Sequence, residues 1–462
     1  MTMWAPDLSD RVGPRYLAIA DALAHDVTRG VLDPGTQLPT HRDLADALGV
    51  TVGTVSRAYR EARARGLIVG EVGRGTFVLG ADPPSSGPGL PISDSLPAGV
   101  VDLSLNFNRV PGIQSIVSRS LAALAADPSA RALFEEYHPQ AGSAEHRAAG
   151  ARWIARQGLQ VDPSRVLVTS GAQHAMTVAL MGTTRPGDGL LVGRLTYPAA
   201  IALARRLHLE LHTVAMDAHG IVPESLEAAC RAHKPRALYC MPTMHNPTTR
   251  VMPAARRLEI AEVAARHGLV LIEDDVYSFL VESPPPPIVS SYEHRGYYVT
   301  SLSKSLAPGL RVGYLAVPAG DRSRFIEVLW ATTVMAAPLM VELASRWLAD
   351  GTADTIIEGG RAEAKARQAI ARETLGNLRY ESHPGALQLW LELPSPWRVP
   401  DFLARAAQRG VLVNSGDTFA IGKAASPAVR IALGSARSRE ELRRGLTVLK
   451  ELLTAGRQQF VV

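Results

Sequence analysis

The sequence predicts a chain in three parts: a small helical head ending in a β-hairpin, a linker, and a large α/β domain closed by a smaller α+β lobe. Three observations carry this. Helical spacing of apolar residues over 11–65 stops at Gly66 and gives way to two short β-rich runs. Residues 81–100 open with Ala81-Asp82-Pro83-Pro84-Ser85-Ser86-Gly87-Pro88 and read as a semi-extended Pro/Gly/Ser linker with no element of its own. Beyond residue 101 short apolar strands alternate with helices, the pattern of a mainly parallel sheet covered on both faces.

In the head (residues 11–80), Tyr16, Ala20, Leu23 and Val27 share one face of a first helix that Gly30 and Pro34-Gly35 end. Thr40 and Asp43 form a capping-box-like pair at the start of a second helix with Leu44, Ala47 and Leu48 on its apolar side. After the turn Gly49-Val50-Thr51, a third helix over 52–65 places Val52, Val55, Tyr59 and Ala62 inward. Thr54, Arg57, Arg60, Arg63 and Arg65 then face outward. Leu67-Ile68-Val69, Gly73-Arg74-Gly75 and Thr76–Leu79 make a hairpin with a basic tip. Helix, helix–turn–helix and hairpin are the plan of a winged helix–turn–helix, whose third helix enters the major groove. A small helical domain that binds protein fits the same periodicity.

Charge supports the first reading through its placement. The whole chain carries +5, yet residues 42–74 hold six arginines against four acids while 1–33 hold three against five. A basic face matters more for DNA than a domain total. At 462 residues and 46% hydrophobic content the chain can fill more than one core, which excludes a disordered protein. Two cysteines, Cys230 and Cys240, allow no disulfide framework and no Cys/His cluster has zinc spacing, so a reducing cytoplasm is expected. His208 and His212 lie in a strand-like alternation and not in a metal site. No basic segment leads an apolar run, and no apolar stretch is of membrane-spanning length.

In the α/β region the motifs fall after predicted strands, where open α/β sheets place ligands. Ser170-Gly171-Ala172 follows Val166–Thr169 and opens a helix whose N–H groups can cradle a phosphate. Tyr197-Pro198, Asn246-Pro247 and Glu273-Asp274-Asp275-Val276-Tyr277 follow the strands near 189–192, 237–240 and 269–272. In Ser301-Leu302-Ser303-Lys304, with Arg311 seven residues on, an amine sits among hydroxyls and a guanidinium. Alone this is equally a solvated basic loop. In sequence with the other motifs it has the parts for an aldimine between Lys304 and pyridoxal 5'-phosphate (PLP). Helices from about 340 and a strand at Leu387–Leu391 mark the smaller lobe.

Two family resemblances rest on these residues. Leu38-Pro39-Thr40-His41-Arg42-Asp43-Leu44-Ala45, Thr54-Val55-Ser56-Arg57-Ala58-Tyr59 and Gly73-Arg74-Gly75-Thr76-Phe77-Val78 resemble the DNA-binding domain of GntR-type regulators. That resemblance makes Arg42, Thr54, Ser56, Arg57, Arg60 and Arg74 the expected DNA contacts. The rest of the chain, a domain over residues 101–462, resembles the class I/II aminotransferases of PLP fold type I over roughly residues 105–455. By that resemblance Asp274 pairs with the pyridine nitrogen, and Asn246 and Tyr277 with the phenolic oxygen. Tyr197 stacks on the ring, Gly171, Ala172, Ser301, Ser303 and Arg311 hold the phosphate, and Lys304 forms the aldimine. Arg430, in Val429-Arg430-Ile431-Ala432, clamps an effector carboxylate. The family's Asn-Pro-Thr-Gly is here Asn246-Pro247-Thr248-Thr249, so that loop is expected to differ.

Together the two parts resemble the MocR subgroup of regulators. The resemblance implies a PLP-binding transcription factor on double-stranded operator DNA, sensing PLP or an amino compound, as a head-to-tail homodimer. The rival expectation is an active aminotransferase with an appended DNA-binding domain.

Overall fold

The structure is a computed structural model that describes residues 4–6, 8, 14–28, 31–33, 35–64, 67–71, 75–78, 99–422 and 426–459. These form two compact units. Arg65, Arg74 and the linker as far as residue 98 lie outside the described residues.

The head unit runs α1 (Arg15–Thr28), β1 (Gln37–Leu38), α2 (His41–Leu48), α3 (Val52–Ala64), β2 (Ile68–Glu71) and β3 (Gly75–Val78). Thr40 caps α2: its hydroxyl oxygen accepts from the Asp43 N–H at 3.3 Å while the hydroxyl donates to Asp43 Oδ2 at 2.7 Å. The hairpin forms in register Ile68↔Val78, and β1 adds a third antiparallel strand that periodicity did not reveal. A two-residue strand is too short to show alternation. The core gathers Ile19, Leu23, Leu44, Val55, Ala58 and Tyr59, and the Tyr59 hydroxyl donates to Pro39 O at 2.9 Å. Two inward assignments are corrected. Val52 is 43% exposed, because the buried stripe of α3 centres on Val55, Ala58, Tyr59 and Ala62 and leaves the first turn in solvent, and Ala47 is exposed, because α2 buries Leu44 and Ala45 instead.

The larger unit is built on a seven-stranded sheet. Its spatial order is Val166–Thr169, Gly313–Ala316, Gly296–Ser301, Val270–Asp274, Ala237–Cys240, Gly189–Gly193, Glu210–Val214. Every pairing is parallel except those of Gly313–Ala316, which runs antiparallel to both neighbours. Apart from the edge strand Glu210–Val214, the strands are almost wholly buried, as apolar runs between two helical layers must be. Helix Ala254–His267 buries Arg257, Ile260, Ala261, Val263 and Ala264, while Leu258, read as part of its apolar face, is 52% exposed.

The smaller lobe has a four-stranded antiparallel sheet, Tyr380–Glu381, Gln388–Glu392, Ala428–Ala432 and Asn414–Ser415. Helices Val399–Gln408 and Arg439–Gln459 cover it over a separate core of Leu389, Phe402, Ile431, Leu442 and Leu446. Val101 and Leu103, from the start of the unit, belong to this same core. Strand Val101–Asp102 pairs in parallel with Val411–Leu412. The chain therefore enters the smaller lobe first and crosses from it into the large sheet.

Candidate functional site

Five strands of the sheet, Val166–Thr169, Gly189–Gly193, Ala237–Cys240, Val270–Asp274 and Gly296–Ser301, have a motif at or after the C-terminal end, so residues far apart in sequence meet in one place. Val270–Asp274 ends on Glu273 and Asp274, and Asp275 follows directly, three consecutive acids that are all buried. Their partners differ. Glu273 accepts the Val289 N–H at 2.9 Å and faces the Arg257 guanidinium at 3.8 Å. Asp275 Oδ2 accepts the Tyr298 hydroxyl at 2.7 Å. Asp274 Oδ2 accepts the Tyr239 hydroxyl at 2.7 Å, and its Oδ1 is buried with no hydrogen-bond partner among the described residues. Burial, with the neighbouring Asp275, raises the Asp274 pKa to about 7, and the Tyr239 hydroxyl and the Lys304 cation pull it down only in part.

Lys304 lies in a single helical turn after strand Gly296–Ser301, where Leu306 N–H bonds Leu302 O at 2.8 Å. Leu302 and Leu306 are buried on either side of it and aim the lysine inward. Its amine donates to Asn106 O. Burial, with the Arg430 and Arg311 cations nearby, lowers its pKa to about 8, so a larger share is the neutral nucleophile near neutral pH than for a free lysine.

Arg311 Nη1 donates to Ser303 Oγ at 3.3 Å and Nη2 to Ser170 O at 3.3 Å. Gly171, at φ +85°, opens helix Ala172–Thr183, and a Cβ there would stand 2.7 Å from Arg311 Nη2. Only glycine lets the guanidinium, the Ser303 hydroxyl and the helix N-terminus share this space, which makes an anion cradle. Ser301 sits beside it, its hydroxyl donating to Val312 O at 3.0 Å and accepting the Ser303 N–H at 3.1 Å.

Tyr277 OH accepts from Asn106 Nδ2 at 2.9 Å, and burial pushes its phenol well up. Tyr197, half-buried ahead of helix Pro198–Arg206, is raised by burial and by the Asp274 carboxylate. Arg430 is 2% exposed; Nη1 donates to Asn246 Oδ1 at 3.0 Å and Nη2 to Ser104 O at 2.6 Å, while Nε has no partner among the described residues. With its oxygen taken by Arg430, Asn246 has its amide N–H groups to offer.

The structure thus gathers Gly171, Ala172, Ser301, Ser303 and Arg311 in one cradle, and links Asn246 to Arg430. Tyr277 and Lys304 meet at Asn106. Sequence reading missed Tyr239, Asn106, Ser104 and Gln388. Tyr239 was visible as the one hydroxyl in an apolar strand, but its pairing with Asp274 depends on strand register. Asn106 carried no signal, since it precedes every motif.

In the head, Arg42, Arg57 and Arg60 are exposed. The Arg57 guanidinium lies 4.3 Å over the Tyr16 ring, and Arg15, Tyr16, Thr51, Thr54 and Arg57 line one open cleft. Thr54 shares a hydrogen bond with Thr51 at 2.9 Å and Ser56 with His41 at 3.0 Å, so both hydroxyls are oriented from α3. Arg74 lies outside the described residues.

A raised Asp274 pKa means the folded chain keeps a proton that the unfolded chain releases above about pH 4. Its contribution to stability therefore falls as pH rises from about 4 to about 7. Cofactor-free Asp274→Asn is expected to exceed the parent in stability near pH 8 by about 1–3 kcal/mol, with the gap closing towards about pH 4. Urea denaturation at the two pH values checks this.

Residues 98–449 match the family described as aminotransferase class I and II, and residues 15–78 match the gntR family of bacterial regulatory proteins. The uncharacterized HTH-type transcriptional regulator YdeF of Bacillus subtilis (strain 168) is 30% identical over 451 residues, covering 97% of this chain and 96% of that protein. The vitamin B6 salvage pathway transcriptional repressor PtsJ of Salmonella typhimurium is 28% identical over 428 residues, covering 91% and 95%. LysN, an α-aminoadipate aminotransferase of Thermus thermophilus solved with N-(5'-phosphopyridoxyl)-L-leucine, superposes with a TM-score of 0.71 at 22% identity. The match covers 78% of this chain and 94% of that one, a likeness of fold. With a gntR-family head and an aminotransferase class I and II domain in one chain, matched end to end by a relative of the same build, the protein belongs to the MocR-type transcription regulators.

Proposed function

We propose that the protein is a transcription regulator that binds duplex operator DNA through its head and PLP in its α/β unit, and that PLP or an amino compound taken up there alters operator binding. The observation that carries this is the buried, unpaired Asp274 Oδ1 in one site with the Lys304 amine and the Arg311–Ser303–Gly171 cradle. A carboxylate oxygen buried without a donor is costly, and the N–H of a protonated pyridine ring is a donor that would satisfy it. The phosphate of the same molecule suits the cradle by charge and by the N–H groups of the helix start. The residues fit the group.

When bound, PLP supplies an aldehyde that takes amines covalently and a ring that draws electrons from them. The chain's own residues do the rest. Asp274 holds a proton on the ring nitrogen, with Tyr239 fixing the carboxylate. Asn246 and Tyr277 hold the phenolic oxygen, and Tyr197 covers the ring face. Gly171, Ala172, Ser301, Ser303 and Arg311 hold the phosphate. Lys304, with its lowered pKa, supplies the attacking amine. Arg430, with its Nε left over, receives the carboxylate of an amino-acid-like effector. PtsJ, named for the vitamin B6 salvage pathway, supports a B6-responsive reading.

We read the head's exposed Arg42, Arg57 and Arg60 as DNA-facing cations, together with Arg74, which falls between β2 and β3 in the sequence. A head-to-tail homodimer is part of the same reading. Phe134, Tyr137 and Trp330 are 73%, 85% and 65% exposed, apolar surface of the kind a partner subunit covers. The complete set of Lys304, Asp274 and Arg430 also supports the rival, an active aminotransferase. Turnover at about 1 per second or faster, with operator affinity unmoved by any ligand, would identify that case.

Three outcomes test the reading. Added PLP is expected to give the parent a visible absorbance that Lys304→Ala lacks, checked by spectral titration. Arg57→Ala should weaken binding to DNA upstream of the gene by about 1–3 kcal/mol while leaving PLP binding at the parent's value, measured by fluorescence anisotropy beside the same titration. Arg430→Ala should keep PLP but lose the spectral response to carboxylated amines, with the response to amines lacking a carboxylate retained.

A further inference from the structure

The segment by which the chain enters its larger unit touches the candidate site at three points. Strand Val101–Asp102 lies against Val411–Leu412, and Leu103 exchanges backbone bonds of 2.8 Å with Leu412 and Ala432. Ser104 is pinned by its N–H and hydroxyl to Asp102 Oδ1 at 2.8 and 2.6 Å. Its carbonyl accepts both Arg430 Nη2 and Asn414 Nδ2 at 2.6 Å. Two residues on, Asn106 O accepts the Lys304 amine. The Asn106 amide reaches Tyr277 OH at 2.9 Å and Gln388 Oε1 at 2.5 Å. Asn106 is 6% exposed and its Oδ1 has no partner among the described residues. One short strap therefore bonds the candidate carboxylate clamp, the candidate cofactor lysine and the candidate phenol-binding tyrosine, and ties them to the smaller lobe through Gln388.

The strap has little room to shift by halves. Gly434 lies so close beneath it that a Cβ there would stand 1.9 Å from Phe107 O, and Arg109 Nη2 bonds Ser435 O at 2.9 Å. In sequence, the strap comes directly after the linker that leads from the DNA-binding head.

We propose that Asn106 is a positioning residue through which occupancy of the Lys304–Arg430 site is transmitted, along the strap 101–109, to the linker and hence to operator binding. This rests on the reading of that site as the PLP and effector site. The free Lys304 amine has N–H groups for Asn106 O. Condensing that amine with an aldehyde expels one water, the aldehyde oxygen leaving with two hydrogens, and the nitrogen keeps at most one N–H. A carboxylate on Arg430 competes in the same way with Ser104 O. Each event withdraws a donor from the strap, and the Asn106–Gln388 bond passes the change to the lobe that holds strand Val101–Asp102.

The test uses the full-length protein with PLP as probe. Operator affinity is measured with and without PLP, and PLP affinity by absorbance titration, for the parent, Gln388→Ala and Asn106→Ala. Gln388→Ala removes the Asn106 side chain's bond to the smaller lobe while leaving the Asn106–Tyr277 bond and the strap's backbone ties at Leu103 and Ser104, so its PLP affinity is expected to stay near the parent's. Asn106→Ala is expected to bind PLP more weakly. In both, the ratio of operator affinities with and without PLP, typically about 5–150-fold for coupled sites, is expected to collapse towards 1. A merely structural role would lower stability or both affinities and leave the ratio standing. Variants that bind PLP and keep the parent's ratio overturn the proposal. A parent whose own ratio is 1 overturns the PLP-sensing reading, and this proposal with it. Should one variant fail to fold, the other carries the same comparison.

Discussion

The larger unit is organised around buried charge at the C-terminal end of a parallel sheet. Three adjacent carboxylates, Glu273, Asp274 and Asp275, are almost wholly shielded from water, which is tolerable only if each finds donors. Arg257 shows how much structure that demand recruits. It faces Glu273 and donates to Met252 O, Thr243 Oγ1 and the carbonyls of Pro285 and Pro286. It thereby joins the loop after Ala237–Cys240 to the proline run. Tyr298 and Tyr239 serve the other two acids from the flanking strands. One oxygen of each acid, Glu273 Oε1, Asp274 Oδ1 and Asp275 Oδ1, is left without a hydrogen bond among the described residues. Glu273 Oε1 still faces Arg257 at 3.8 Å, and the Asp274 oxygen is the one a protonated ring nitrogen beside Lys304 would complete.

Local folding serves this centre. The buried Leu302 and Leu306 turn Lys304 inward, and the antiparallel strand Gly313–Ala316 returns Arg311 to the start of helix Ala172–Thr183. The anion cradle is thus assembled from two chain segments about 140 residues apart, with helix N–H groups as its floor. The smaller lobe adds Arg430 from the middle of its sheet, where burial lowers its pKa to about 10 and its charge persists at neutral pH.

The head answers to a different constraint. Its core is small, and its stability rests on Leu44, Val55, Ala58 and Tyr59 being fully enclosed while α3 keeps its arginines outside. The stacking of Arg57 on Tyr16 shows a cation held by packing against α1, which presents it at the mouth of the cleft that Thr51 and Thr54 also line. Exposure of Val52 at the start of the same helix leaves an apolar side chain beside these polar groups.

Element type and motif order were legible in the sequence, because both are local. Apolar runs gave the strands at 166–169 and 237–240 at their observed bounds, and Thr40 with Asp43 marked a helix start that the structure shows. Each motif's place after a strand pointed to one sheet edge. The strands Gly296–Ser301 and Gly313–Ala316 were not foreseen, since glycine and tyrosine interrupt their apolar pattern. Only tertiary structure decided which hydroxyl meets which acid, because strand register sets Tyr239 opposite Ile272 and so on the same face as Asp274 two residues on, and no periodicity encodes register between strands about 35 residues apart. It alone decided that Asn106 joins Lys304, Tyr277 and Gln388, contacts spanning 171 to 282 residues of chain. A sequence states what each residue can donate or accept; where the chain crosses itself decides to whom.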